Sequence, residues 1–138
     1  PIAGSLSEVR SMPGELFPVN SVSEQHIPGF LARNRRVAIC IDNPDYGRVT
    51  VVMVAAMIVG RISVTGIAER DVPVGAFRPG IQVDQGDEIG IFHLGSTAVV
   101  FLEPSTPQGQ RLTMNCASGP IRMGAPLAER TAGEERRS

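Results

Sequence analysis

Lysine and tryptophan are both missing from this chain of 138 residues, tyrosine occurs once and cysteine twice. All 13 basic residues are therefore arginine. Without lysine, no Schiff base can form with pyridoxal phosphate and no side chain can carry biotin or lipoate, which excludes those enzyme and carrier classes. Neither sign of charge is in excess, the formal net charge being −1. There is no arginine stripe with interleaved aromatics to hold a polyanion, so nucleic acid is not an expected partner. Long apolar runs are lacking too. The longest, Val49 to Gly60, falls well short of the roughly 20 residues a membrane-spanning helix needs, and no signal-peptide pattern precedes it. Cys40 and Cys116 stand in unlike contexts with neither CxxC nor metal-ligand spacing. They are expected to be reduced, partly buried thiols, and no metal site is expected.

The chain does have 15 glycines, 11 prolines and many Val and Ile, a composition that favours short strands joined by turns. It is long enough for one core. The expected fold is all-β with short helical turns, closed as a compact barrel or sandwich.

Strand signals come in series. Arg36 to Ile41 and Val49 to Val59 flank a turn at Asp42–Gly47, where Gly47 is placed to close the reversal. The second run alternates too little for a half-wet strand, which implies burial on both faces or a bulge. A buried helix over Val51–Ile58 is the competing reading. Arg61 to Thr65 alternates and predicts a strand with one wet face. Further strands are expected at Ile89–Phe92, Thr97–Leu102, Arg111–Asn115 and near Ile121. Residues 1 to 13 give no clear pattern, and Glu15 to Asn20 reads as a short strand or loop. Ser21 to Asn34 reads as a loop with at most one helical turn. Glu69 to Asp84 reads as a long loop, and Ala128 to Ser138 as a disordered tail following a domain over residues 1–127.

The stretch that points to chemistry runs from Asp87 to Phe101, where two apolar half-strands are interrupted by Leu94-Gly95-Ser96-Thr97. Glycine before serine frees the backbone, so that the serine oxygen can approach the preceding carbonyl carbon. On those grounds alone a plain turn is the commoner outcome.

Leu94-Gly95-Ser96-Thr97 followed by Val99-Val100-Phe101 resembles the self-processing site of bacterial phosphatidylserine decarboxylases. Other segments resemble the same family in the same order. Pro13-Gly14-Glu15-Leu16-Phe17-Pro18-Val19-Asn20 is similar to its Pro-Gly-x-Leu-(Phe/Tyr)-x-Val-Asn element. Leu31-Ala32-Arg33-Asn34-Arg35-Arg36-Val37 is similar to its (Phe/Leu)-Ala-Arg-Asn-Glu-Arg-Val element, with Arg35 in place of the usual acid. Val54 to Ile62 resembles Val-Gly-Ala-x-x-Val-Gly-x-Ile, with Ala55 where glycine is usual. Gly86-Asp87-Glu88-Ile89-Gly90 resembles Gly-x-Glu-(Met/Ile)-Gly.

The resemblance implies that Ser96 acts twice. Its hydroxyl first attacks the Gly95 carbonyl, and elimination and hydrolysis leave a larger chain ending at Gly95 and a smaller one opening with a pyruvoyl group at 96. That group, the implied covalent cofactor, then condenses with the amine of phosphatidylserine and accepts the electrons released as carbon dioxide leaves. The implied partners are phosphatidylserine, a membrane surface and the protein's own cleaved partner chain, with a homodimer among the assemblies open to it. The implied location is peripheral, on the cytoplasmic face of the bacterial inner membrane.

The chain opens at Pro1 without an initiator Met, which predicts a piece of a longer protein. Pro1 is similar to the closing Pro of the family's His-Arg-Val-His-Met-Pro segment. The activating His, its Asp and the membrane-contacting helices are thus expected upstream, and these residues alone are expected neither to process efficiently nor to decarboxylate.

Supporting residues are less defined. His93 is either a local or substrate-facing group or a solvated strand residue, and contact with Ser96 requires a bend at Leu94–Gly95. Thr97 either donates a hydrogen bond to the cleaving peptide or is simply a strand former. Asp87 and Glu88 read as a solvated turn rather than a carboxylate pair, and His26 as plain surface. Arg33, Arg35 and Arg36 either attract lipid phosphate or form a wet loop. Two other functions stay open: a pyruvoyl decarboxylase of a soluble amino acid or amine, and an unprocessed binding homologue.

Overall fold

The computed structural model describes residues 1–58, 60–94 and 97–131. Its main sheet is antiparallel and starts with β1 (Gly4–Met12), which pairs with β2 (Arg36–Asn43). Between them lie two short helices, α1 (Ser21–His26) and α2 (Phe30–Arg33), where at most one helical turn was expected. Asn20 caps the first, its Oδ1 accepting from the Ser23 amide at 3.0 Å.

β2 turns into β3 (Gly47–Val54) through the expected reversal. Asn43 Oδ1 accepts from the amides of Asp45 and Tyr46, and Gly47 takes φ 79°, a value that favours glycine. In β3 the sequence expectation holds only at the end of the strand. Val49, Val51 and Met53 are buried while Arg48, Thr50 and Val52 are not, so one face is buried along most of β3; the other face is covered only at Val54, which is 1% exposed. The helical alternative is excluded.

The chain then leaves the main sheet for β4 (Ile62–Val64). The segment after it, expected to be a long loop, contains β5 (Gly75–Phe77) and β6 (Ile81–Val83). These pair with successive halves of β1, Val9 opposite Phe77 and Leu6 opposite Ile81. They are in effect one edge strand broken at Arg78-Pro79-Gly80, where proline cannot donate to a ladder. β7 (Gly90–Phe92) pairs with β4 as a separate two-stranded ladder. β8 (Thr97–Leu102) returns to the main sheet beside β3.

β9 (Arg111–Met114) and β10 (Ala128–Thr131) form a hairpin-like pair. Ala128–Thr131 is therefore a strand and not the start of a disordered tail. The strand expected near Ile121 is absent among the described residues.

The fold is all-β, as expected, but its strand order β5-β1-β2-β3-β8 has open edges and no closed barrel forms. Leu6, Val9, Val37, Ile39, Ile41, Val51 and Met53 from the main sheet meet Ile62 and Val64 of β4 and Val72 and Val83 in one core. The β4–β7 ladder thus lies over the inner face of the main sheet, in a sandwich-like arrangement. Both cysteines are free; Cys40 is half-buried, but Cys116 is exposed rather than partly buried.

Candidate functional site

β3 and β8 pair with Val54 opposite Thr97, and β4 and β7 pair with Ile62 opposite Phe92. Between those two registers the chain crosses from one ladder to the other twice, through residues 55–61 outbound and 93–96 on return. The outbound crossing has the more residues, and its excess is pushed outwards: Met57 and Ile58 are exposed, and Ile58 is held at φ 85°. A β-branched residue is disfavoured in that region. Where the two crossings run together, Ile58, Gly60, Arg61, His93 and Leu94 line a shallow pocket of about 210 Å³.

Gly95 and Ser96 lie outside the described residues. Their neighbours place the junction: Leu94 is exposed beside the pocket, and Thr97 is half-buried at the start of β8. His93 is not a strand residue. It sits in a bend just after β7, its amide donating to Arg61 O at 3.3 Å, and its Nε2 is 2.6 Å from Ser63 Oγ. Ser63 Oγ also donates its one proton to Arg70 O at 2.8 Å. In the contact with His93 it must then accept, so His93 is protonated on Nε2 and its Nδ1 is the acceptor when neutral.

The outbound crossing is fixed by groups whose positions the sequence did not reveal. Arg35, at 16% side-chain exposure, grips both carboxylate oxygens of Asp71, with Nη2–Oδ1 at 2.7 Å and Nη1–Oδ2 at 3.1 Å. It also donates to Gly60 O and, at 2.9 Å, to Val72 O. Asp71 in turn accepts from the Ile62 amide at 3.1 Å. Burial by itself would raise the Asp71 pKa, but the Arg35 hydrogen bond, the Ile62 amide and the charges of Arg35 and Arg61 together hold it below the ordinary carboxylate value.

Arg35 is thus a structural clamp and not a lipid-facing cation. Arg33 pairs with Glu15 at 3.2 Å and lies over the Phe17 ring, and Arg36 donates to Asn34 O at 3.2 Å.

Asn34 is fully buried and joins three segments. Its Oδ1 accepts from the Phe17 amide at 2.9 Å, and its Nδ2 donates to Phe17 O and Ala55 O at 2.8 and 3.0 Å. Beside it Gly14 packs so closely that an added Cβ would lie 2.6 Å from the Arg35 amide nitrogen. These contacts explain physically why Pro-Gly-x-Leu-Phe and Leu-Ala-Arg-Asn occur together: they dock on each other and on the end of β3.

Other flagged residues are not at the junction. Asp87 Oδ2 accepts from the Asp84 amide at 2.8 Å in the expected turn, and His26 is exposed at the end of α1. A larger apolar cleft of about 770 Å³, lined by Val49, Val100, Leu102, Leu112, Met123 and Leu127 among others, lies at the opposite end of β8. Among the described residues no cluster of His, Cys, Asp and Glu is arranged to hold a metal, and no helix is long and apolar enough to cross a membrane.

The scaffold is an all-β domain in which two antiparallel ladders are joined by the crossings on either side of the pocket, and sequence comparison gives the family. The sequence model of phosphatidylserine decarboxylase matches residues 1–129. The chain is 42% identical over 106 residues to a phosphatidylserine decarboxylase proenzyme of Acinetobacter baylyi, covering 75% of the chain and 36% of that protein. Proenzymes from Bordetella petrii and Psychrobacter arcticus are 37% and 38% identical, each over 93% of the chain and 46% of the relative. The chain belongs to the phosphatidylserine decarboxylase family, and it spans less than half the length of these relatives.

Proposed function

We propose that this chain is the catalytic part of a self-cleaving phosphatidylserine decarboxylase, cut between Gly95 and Ser96. The observation that carries the reading is the family match across residues 1–129, which takes in Leu94-Gly95-Ser96-Thr97, the segment that leads in sequence from β7 to β8. Attack of Ser96 Oγ on the Gly95 carbonyl carbon moves the acyl group from nitrogen to oxygen. Loss of the Ser96 α-proton then expels the Gly95 carboxylate, and hydrolysis of the resulting enamine releases ammonia and leaves a pyruvoyl group.

The residues present fit such a group: its precursor serine stands in sequence between Leu94 and β8, and Leu94 lines a pocket of about 210 Å³ with room for a head group. When formed, it supplies the electron sink for loss of carbon dioxide from phosphatidylserine. The β3–β8 pairing holds the chain on the carboxyl side of the cut, and Ser63 sets the imidazole of His93. The exposed apolar side chains of Ile58 and Leu94, which line the pocket, suit a lipid head group presented at a membrane surface.

The test is intact mass of the natural full-length protein and of its Ser96→Ala variant. Two chains divided after Gly95, the second blocked and lighter by ammonia than a serine-started peptide, are expected from the native protein, and one chain from the variant. A native protein that stays uncut and behaves like Ser96→Ala overturns the reading.

A further inference from the structure

Among the described residues, the pocket beside β7 holds one cation without an ionic partner. No carboxylate lies within 4 Å of Arg61 in the ion pairs found among the described residues. Asp71, whose charge it feels, is already taken on both oxygens by Arg35. Arg61 is exposed, its own backbone is tied to His93, and it lines the pocket with His93, Leu94, Ile58 and Gly60. From His93 to position 96 is at most about 10 Å of extended chain. The extended side chain of Arg61 and the length of a serine phosphodiester together can bridge that separation, so an anion held by Arg61 can belong to the same substrate molecule as an amine at position 96.

We propose that Arg61 binds the phosphodiester of the amine substrate whose nitrogen reaches position 96; this rests on the decarboxylase reading above. The substrate carries two anions, and the chemistry separates them. The carboxylate loses its charge as carbon dioxide departs, so an arginine on it would stabilise the ground state more than the transition state and slow the step. The phosphodiester keeps its charge throughout, and the planar guanidinium matches two of its oxygens. An arginine there gives equal binding before and during reaction. The apolar side of the pocket, Ile58 and Leu94, is the better surroundings for a carboxylate about to leave.

Steady-state kinetics of the full-length protein with short-chain phosphatidylserine in uncharged detergent micelles test this. Arg61→Ala is expected to raise KM about tenfold with kcat nearly unchanged, and Arg61→Lys to recover part of the loss. With a serine ester lacking the phosphate, Arg61→Ala should change neither constant. An unaltered KM overturns the proposal, and so does a changed kcat at constant KM, which would place Arg61 on the reacting group. Mass analysis of the same preparations separates the two levels. A wild-type protein uncut at Gly95 defeats the decarboxylase reading itself, whereas a cut and active protein indifferent to Arg61→Ala defeats only this inference.

Discussion

Asn34 shows how a residue in a family-like segment can act through packing. Its amide satisfies two carbonyls and one amide proton from the backbone of Phe17 and Ala55. Asn34→Ala would leave those groups facing a void, and each unsatisfied buried group costs about 1–3 kcal/mol. We expect a loss of about 3 kcal/mol in urea unfolding, and Asn34→Asp, which lacks the donors, to be no better. A loss below about 1 kcal/mol would mean that water replaces the side chain. Ile58 makes the opposite case. At 81% exposure it buries little, yet it holds a backbone conformation that costs a branched residue about 1–2 kcal/mol. Ile58→Asn should therefore leave the melting temperature unchanged or raise it, and a clear drop would show that the conformation is held by contacts of the side chain.

At the scale of elements, the sequence was most legible where one strand faces one core. β2, β8 and β9 fall within a residue or two of their expected limits because apolar positions recur regularly between turn residues. β1 was missed because its register shifts between Leu6 and Glu8, so Leu6 and Val9 share the core face without period-2 spacing. β5 and β6 were missed because Pro79 and Gly80 interrupt them. At the candidate site the Gly-Ser junction was legible as a motif. The pocket was not, since Arg61, Ser63 and His93 converge only through the pairing of β4 with β7. The clamp that holds this region has a pH signature. Asp71 has a folded pKa below its ordinary value, so it stabilises the fold at neutral pH and that contribution is lost as pH falls through the depressed value, below about 4. The melting temperature should be flat from about pH 7 to 5 and fall below pH 4, less steeply in Asp71→Asn. An identical acid limb in the variant would assign the effect to other carboxylates, of which Asp42, lowered by its hydrogen bond from Arg48, is one.

At the scale of the whole molecule, a cut between Gly95 and Ser96 would divide the fold along its pairing pattern rather than at its edge. The piece after the cut carries β8, β9 and β10. Among the described residues only β8 is paired in a ladder with the first piece, along Val49–Val54, with Val100 packed against the common core. β4 and β7 both stay with the first piece, so the second sheet survives cleavage whole. The separated chain would expose the apolar face of β8 and leave the side of β3 away from β2 as an unpaired edge, an outcome with a large hydrophobic cost. The two chains of the processed protein should therefore co-elute in size-exclusion chromatography in native buffer, even on dilution, and part only in denaturant. A substitution that breaks the ladder from within, Val51→Pro, removes a backbone donor from the centre of β3 and should release the smaller chain or prevent folding. Val99→Thr tests the same contact more gently, because its side chain is on the outer face of β8, away from Val100. It should leave association intact while Val100→Asp, aimed at the core, weakens it. Dissociation of the native processed pair on simple dilution would show that β8 is held by its covalent connection and not by the ladder, which would be incompatible with an active two-chain enzyme built on this sheet.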